Sequence, residues 1–94
     1  MLPLLLLLVT AQSFDWALAP GFPAPPVPTA NPISPAKVEL GRHLFYDQRL
    51  SVNNAQSCAS CHRQELAFTD GLAQAKGTTG ELHPRSSMSL VNIA

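Results

Sequence analysis

The part of the sequence with the most distinctive chemistry is the run Cys58-Ala59-Ser60-Cys61-His62. Two thiols three positions apart lie on one side of a helical turn, where they can add to the two vinyl groups on one edge of a haem. The imidazole that follows directly is then placed to ligate the iron. The spacing therefore predicts covalent attachment of a c-type haem by Cys58 and Cys61, with His62 as the axial iron ligand.

Three other uses of the two cysteines compete with haem attachment. The chain has two cysteines in total, so a zinc site would have to recruit His62 or His83 at an irregular spacing. A thioredoxin-like redox pair follows a buried strand, whereas residues 51–57 are polar and typical of turns. A structural disulfide suits an exported protein but does not require a histidine at the next position. Each alternative explains less of the motif than haem does.

The length and the charge of the chain exclude several classes of protein. The 94 residues are enough for one small domain, and six basic residues balance six acidic ones to a formal net charge of zero. A nucleic-acid-binding protein needs a basic surface for the phosphates, and attraction to an anionic membrane needs one as well. We therefore expect neither nucleic acid nor a membrane surface among the partners.

The N-terminal segment has the pattern of an export signal. Residues 2–9 are almost entirely leucine, and this run is much shorter than the roughly 20 apolar residues of a membrane-spanning helix. Small residues allow cleavage after Ala11 or after Ala19, and Pro20 should obstruct the second site. We predict a leader over residues 1–19, which includes Trp16, export to the periplasm, and no stable membrane span after processing.

A proline-rich segment separates this leader from the haem motif. Residues 20–35 contain seven of the nine prolines, which excludes helix and sheet and predicts an extended linker or strap. Ser34 and Pro35 are typical of an N-cap and a first helical residue. The following residues predict an amphipathic helix of about three turns, with apolar positions at Val38, Leu40, Leu44 and Phe45.

The C-terminal part of the sequence predicts a domain without a core of its own. Beyond Phe68 the residues favour turns and show little apolar periodicity. A haem buries several hundred Å² of apolar surface, which at about 25 cal/mol per Å² is on the order of 10 kcal/mol before ordering costs. We therefore expect the chain to fold around a large apolar cofactor and to be largely unfolded without it.

Five ordered blocks resemble the N-terminal haem domain of bacterial di-haem cytochrome c peroxidases and their MauG-like relatives. The match runs from about Pro32 to Ala94. The resemblance implies a mainly α, cytochrome c-like haem domain over residues 36–94, with short helices and long loops. Members of the family continue well beyond this length, so the domain is expected to be incomplete. The blocks are residues 40–47, 49–51, 57–62, 67–71 and 85–92.

The resemblance also implies a function. Members of the di-haem peroxidase family reduce hydrogen peroxide to water in the periplasm, with electrons from a small c-type cytochrome or a cupredoxin. The N-terminal haem is the peroxide site, and a second haem, expected elsewhere in a full-length protein, receives the electrons. By this mapping His62 is the proximal ligand, and Phe68 and Arg85 are candidate haem contacts. A full-length form is a candidate homodimer, and the 94 residues alone are expected to be inactive.

Two positions depart from the family pattern. Many of the peroxidases carry a second histidine sixteen residues after the proximal one, and here that position is Thr78. This resembles the MauG-like branch and implies a ferric haem that is at least partly high-spin and binds peroxide without prior reduction. His83 in the same loop is expected to be exposed. Ser86 stands where the family tends to have an asparagine near a calcium ion, so calcium is disfavoured.

Two alternatives to a peroxidase domain remain open from the sequence. In the first, the chain is a mono-haem electron carrier in which His62 and Met88 both ligate the iron. Met88 lies 26 residues after His62, which is close for such a ligand, and a packing role is the default for a methionine. In the second, the chain is a remnant that does not hold haem.

Overall fold

The computed structural model describes residues 14–93. Within this range the chain has two α-helices, two short 3₁₀ turns and long connecting loops, and it has no β-strand beyond isolated bridges. Helix α1 spans Pro35–Tyr46, and helix α2 spans Cys58–Cys61 and contacts α1. The 3₁₀ turns are Gln48–Leu50 and Gln64–Leu66. The expected fold class, short helices joined by long loops, is confirmed.

Helix α1 begins where the sequence predicts. Ser34 is in an extended conformation and its hydroxyl accepts a hydrogen bond from the amide of Lys37 at 3.3 Å, while Pro35 takes the first helical position. The apolar side of the helix is only partly covered: Val38 and Phe45 are half-buried, but Leu40 and Leu44 are exposed. The periodicity predicted the helix correctly, but half of its apolar side is left exposed within residues 14–93.

The proline-rich segment contains no helix or strand, as its proline content predicts. It turns at residues 19–22 and again at 28–31, through backbone hydrogen bonds of 3.1 and 3.0 Å. The ammonium of Lys37 in α1 donates to the side chain of Asn31 and to the carbonyl of Pro32, at 2.6 and 2.7 Å. These two hydrogen bonds therefore hold the end of the proline-rich segment against the first turn of α1.

Trp16 packs against the folded-back proline segment. Its ring meets that of Phe14 edge-on, with 5.1 Å between the ring centroids. It also lines two open cavities between the segment and the rest of the chain, of about 560 and 310 Å³. Leu90 and Ile93 line the larger of the two. The N-terminal and C-terminal parts of the described chain thus lie against one another around this tryptophan.

The described residues have no hydrophobic core. No side chain within residues 14–93 is fully buried, and large apolar side chains such as Leu50, Val52 and Leu82 are well exposed. A chain of this size buries too little apolar surface to fold without a supplement. This agrees with the expectation, from the sequence, of a domain that needs additional apolar surface to pack against.

The leucine run and the predicted cleavage site at Ala11 lie outside the described residues. Among the helices within residues 14–93, none has the length and apolarity to cross a membrane.

Candidate functional site

Both cysteines lie on the single turn of helix α2. The turn is capped at its start, where the amide of Ser57 donates to the hydroxyl of Ser60 at 2.9 Å. It closes at its end, where the amide of His62 donates to the carbonyl of Cys58 at 3.0 Å. Both thiols are free, Cys58 exposed and Cys61 half-buried. The helix therefore presents two accessible thiols one turn apart, immediately before an imidazole.

The imidazole of His62 is oriented by the backbone. Its Nδ1 lies 2.8 Å from the carbonyl oxygen of Phe68. A carbonyl only accepts hydrogen bonds, so Nδ1 donates, and in the neutral form of the ring Nε2 is then left with its lone pair. A histidine that ligates a metal commonly has this arrangement, with the far nitrogen held by a carbonyl or a carboxylate. His62 is thus a half-buried imidazole in the tautomer that can coordinate a metal through Nε2.

A tight turn over residues 63–69 places this carbonyl. The amide of Arg63 donates to the carbonyl of Thr69 at 2.9 Å, and the amide of Phe68 donates back to Arg63 at 2.8 Å. Ala67 and Phe68 both take positive φ angles, 51° and 60°, which few residues other than glycine adopt. Two consecutive left-handed residues reverse the chain and direct the Phe68 carbonyl towards His62.

An apolar cavity lies beside this turn. The rings of Phe45 and Phe68 meet edge-on, with 6.4 Å between centroids. They join the end of α1 to the turn, and a cavity of about 350 Å³ opens next to them. The cavity is lined by Gly41, Arg42, Phe45, Tyr46, Phe68 and Leu90.

These groups fit a c-type haem. Two free thiols on one turn and an imidazole with an unprotonated Nε2 are the donor set that the cofactor requires, and the exposed apolar side chains nearby can cover a porphyrin. A tetrahedral zinc site fits less well. Within residues 14–93 no three side chains of the histidine, cysteine or carboxylate types come together.

Charged side chains near the end of α1 pair with one another. The guanidinium of Arg49 makes a two-pronged contact with Asp47, at 2.9 Å from Nε and 2.7 Å from Nη2. The hydrogen bonds from Arg49 lower the pKa of Asp47 from its ordinary value of 3.8 to about 2, and the pKa of Arg49 is raised in turn. Arg49 is therefore engaged in an ion pair within its own loop.

The structure brings Phe68 into contact with His62, and other residues singled out from the sequence have exposed side chains. Phe68 is half-buried and contacts His62 through its carbonyl. The side chain of Arg85 is exposed, and its carbonyl accepts from the amide of Ala75 at 2.9 Å. Met88, the second ligand of the electron-carrier alternative, is 66% exposed. His83 is exposed, as expected, and so is Ser86.

The sequence did not indicate the role of the Phe68 backbone, because Phe68 was singled out for its ring. Ala67 and Phe68 have no preference for positive φ, so no residue type marks this turn. The one available signal was Asp70-Gly71 directly after it, a typical turn pair. The hydroxyl of Ser89 also reaches this turn, since it donates to the carbonyl of Ala67 at 2.6 Å.

Comparison with known proteins decides the family. The family described as di-haem cytochrome c peroxidase matches residues 35–94, which include α1, the thiol pair, His62 and the turn. The chain belongs to the di-haem cytochrome c peroxidase family. Membership implies c-type haem as the cofactor, in a family of peroxidase-like oxidoreductases.

Relatives within the di-haem cytochrome c peroxidase family are substantially similar. The chain is 45% identical over 69 residues to the methylamine utilization protein MauG of Methylorubrum extorquens, covering 73% of this chain and 20% of the relative. It is 41% identical over 87 residues to the cytochrome-c peroxidase IdrP1 of Denitromonas iodatirespirans, covering 90% and 23%. The chain thus spans about a fifth to a quarter of the length of the curated relatives it matches.

A solved structure of the family supports the fold. The chain is 51% identical to a MauG-like protein associated with microbial copper homeostasis, with a TM-score of 0.74. The match covers 81% of this chain and 24% of that protein. The arrangement of short helices and long loops is therefore that of a MauG-like protein over the matched residues.

Proposed function

We propose that this chain is the haem domain at which a longer, full-length protein reduces hydrogen peroxide to water. Cys58 and Cys61 hold the haem through thioether bonds, and His62 ligates the iron. The observation that carries this proposal is the 2.8 Å contact between Nδ1 of His62 and the carbonyl of Phe68, directly after two free thiols on one turn. It fixes the imidazole in the tautomer that coordinates iron.

The bound haem would supply an iron that receives electrons and binds peroxide. The residues of the chain do the rest. His62 holds the iron from one side, and its hydrogen bond to the Phe68 carbonyl increases the basicity of the ligating nitrogen. Phe45 and Phe68 would supply apolar surface that excludes water from a bound haem.

The opposite side of the iron is proposed to be open to peroxide. Thr78 stands sixteen residues after His62, and a threonine is not an iron ligand of the usual kind. Its hydroxyl donates to the side chain of Asn53 and is therefore already engaged. We expect a ferric haem that is at least partly high-spin and binds cyanide or peroxide without prior reduction.

The domain limits and the export of the protein belong to the same proposal. The leader covers residues 1–19 or a part of it, the proline-rich segment covers 20–35, and the haem domain covers 36–94. The packing of Trp16 against the proline-rich segment and near Leu90 favours cleavage after Ala11, because cleavage after Ala19 would remove this tryptophan. The mature protein is proposed to function in the periplasm.

The remaining partners follow from the family. Electrons are proposed to come from a small c-type cytochrome or a cupredoxin, through a second haem in a full-length protein that is proposed to dimerise. The chain described here is proposed to carry one haem. It offers a weak calcium site at most, because a serine at position 86 cannot supply an amide carbonyl from its side chain.

The experiment that tests the proposed function is haem staining of the exported protein after denaturing electrophoresis. Covalent haem survives this treatment, so we expect a stained wild-type band, no stained band for Cys58→Ser/Cys61→Ser, and a retained band for the matched Ser60→Ala. Electron paramagnetic resonance of the wild type should show a high-spin ferric signal. A wild-type protein without covalent haem, or one with only a low-spin bis-histidine signal, would contradict the proposal.

A further inference from the structure

Two side chains of the loop before α2 bind the backbone of a distant segment. The side-chain amide of Asn53 donates to the backbone carbonyl of Thr78 at 3.0 Å, and the side-chain amide of Gln56 donates to the backbone carbonyl of Lys76 at 3.1 Å. The hydroxyl of Thr78 donates back to Asn53. These contacts, here named the clamp, join residues that are 25 and 20 positions apart in the sequence.

The segment that the clamp holds is a hairpin over residues 75–85. Its two arms are joined by backbone hydrogen bonds, from Ala75 to Arg85 at 2.9 Å, from His83 to Ala75 at 2.8 Å and from Gly77 to Glu81 at 2.7 Å. Because the arms are bonded to each other, the hairpin moves as one unit. Holding its tip at Lys76 and Thr78 therefore fixes the whole hairpin.

The clamp places the hairpin near helix α2, which carries the two cysteines. Gln56 is two residues before Cys58, and two residues of extended chain span at most about 7 Å. The hairpin carries an exposed imidazole at His83. The remaining histidine of the chain, His43, is engaged on α1, where its Nε2 lies 3.2 Å from Glu39. His83 is therefore the exposed histidine carried by the segment that the clamp holds near helix α2.

We propose that Asn53 and Gln56 are positioning residues that keep His83 away from the haem iron. By binding the carbonyls of Thr78 and Lys76, they hold the hairpin in one position, so that the side of the iron opposite His62 stays available to peroxide. Because both bonds end on backbone carbonyls, they do not depend on the side chain at position 78. This inference rests on the proposed haem attachment and adds the residues that maintain its open coordination position.

The test is electron paramagnetic resonance of the haem-loaded ferric protein. Asn53→Ala/Gln56→Ala releases the hairpin, so the low-spin fraction should rise several-fold over the wild type. Adding His83→Ala to the same variant should abolish that rise. Thr79→Val is the matched control, since it removes a hydroxyl from the same hairpin that bonds Glu81 and not the clamp, and its spectrum should equal the wild type.

A second measurement reports on the hairpin itself. Hydrogen exchange at the amides of Gly77 and His83 should be as slow in Asn53→Ala/Gln56→Ala as in Thr79→Val, because both amides donate within the hairpin, which moves as one unit when the clamp is released. If the double variant does not fold, Asn53→Asp serves in its place. It keeps an acceptor for the Thr78 hydroxyl but loses the donor to the Thr78 carbonyl. The low-spin fraction should therefore rise over the wild type, but by less than in the double variant.

The outcomes separate this inference from the proposed function. Wild-type protein without covalent haem overturns both. Haem-loaded protein whose spectrum is unchanged by releasing the clamp overturns the role of Asn53 and Gln56 alone, and leaves the haem site intact. A low-spin signal that persists after His83→Ala overturns it as well.

Discussion

Helix α2, which carries the two cysteines, is held on its two sides in different ways. On its C-terminal side, the turn over residues 63–69 is closed by backbone hydrogen bonds between near neighbours, and it orients His62. On its N-terminal side, the loop is held by the clamp, which uses side chains and reaches 20 to 25 residues along the chain. The contacts on the C-terminal side are local in the sequence, whereas those on the N-terminal side depend on the tertiary fold.

This difference assigns separate tasks to the two sides. A four-residue helix is far below the length that is stable alone in water, so α2 needs both anchors. The local turn can keep the imidazole in its tautomer while the hairpin moves, because no bond of the turn involves the hairpin. The proposed iron ligand and the proposed open coordination position should therefore respond independently to mutation.

The largest effect is expected from removing the two thiols of α2 that would hold the haem. Cys58→Ser/Cys61→Ser should have no cooperative thermal unfolding transition by calorimetry, because no side chain within residues 14–93 is fully buried without a cofactor. Ala59→Ser is the control, since it changes the same turn but keeps both thiols. A cooperative transition in the haem-free double variant would show that neither side needs the haem.

The next effect tests the local turn through its backbone. Ala67 has a φ of 51°, and a β-branched side chain is strained there, so Ala67→Val should lower the free energy of unfolding by about 1–2 kcal/mol. Calorimetry of the haem-loaded protein measures this change. Ala73→Val, at an exposed loop position outside the left-handed region, should change stability by no more than about 0.5 kcal/mol. Equal effects at both positions would contradict the importance of the left-handed turn.

The local side was only partly predictable from the sequence, and the distant side was not predictable. The spacing of Cys58, Cys61 and His62 predicted that both cysteines share one helical turn before the histidine, and Ser34 with Pro35 predicted the start of α1, because capping and residue spacing are local properties. Ala67 takes a conformation that alanine does not favour, so nothing in its residue type indicated the turn.

The sequence gives no indication of the clamp, for a different reason. Asn53 and Gln56 are ordinary polar loop residues, and their partners are backbone carbonyls that carry no sequence information. Periodicity and motif spacing describe neighbours along the chain and not contacts across 20 residues. The low apolar periodicity after Phe68 did predict that residues 14–93 contain no fully buried side chain. A segment without an apolar face has little to bury.

A smaller effect tests the hairpin. Gly80 lies at its tip with a φ of 94°, so Gly80→Ala should lower the free energy of unfolding by about 1 kcal/mol through backbone strain. Gly41 in α1 is the matched control. A methyl group there meets nothing within 4 Å, so Gly41→Ala should raise stability by about 0.5–1 kcal/mol. The opposite signs, measured by calorimetry, distinguish strain at the tip from a general effect of the added methyl group.

The smallest effect concerns the ion pair where α1 passes into the loop that bears the clamp. Hydrogen bonds from Arg49 lower the pKa of Asp47 to about 2 in the folded protein, from an ordinary value of 3.8. A depressed carboxyl pKa stabilises the folded state above the unfolded pKa, and this stabilisation is lost as the carboxyl becomes protonated. The contribution of Asp47 should therefore be complete above about pH 4 and decline as the pH falls towards about 2.

Asp47→Asn isolates this contribution, because an amide does not titrate. The thermal unfolding temperature of the haem-loaded variant should depend less on pH than that of the wild type between about pH 4 and pH 2. The difference should be small, since the Arg49 side chain is 85% exposed and solvent screens an exposed pair. Glu39→Gln, which removes a carboxylate of the same helix that pairs with His43, controls for a general loss of charge. If the two variants have the same pH profile, the pair of Asp47 and Arg49 contributes nothing specific to the junction, and the loop relies on the clamp alone.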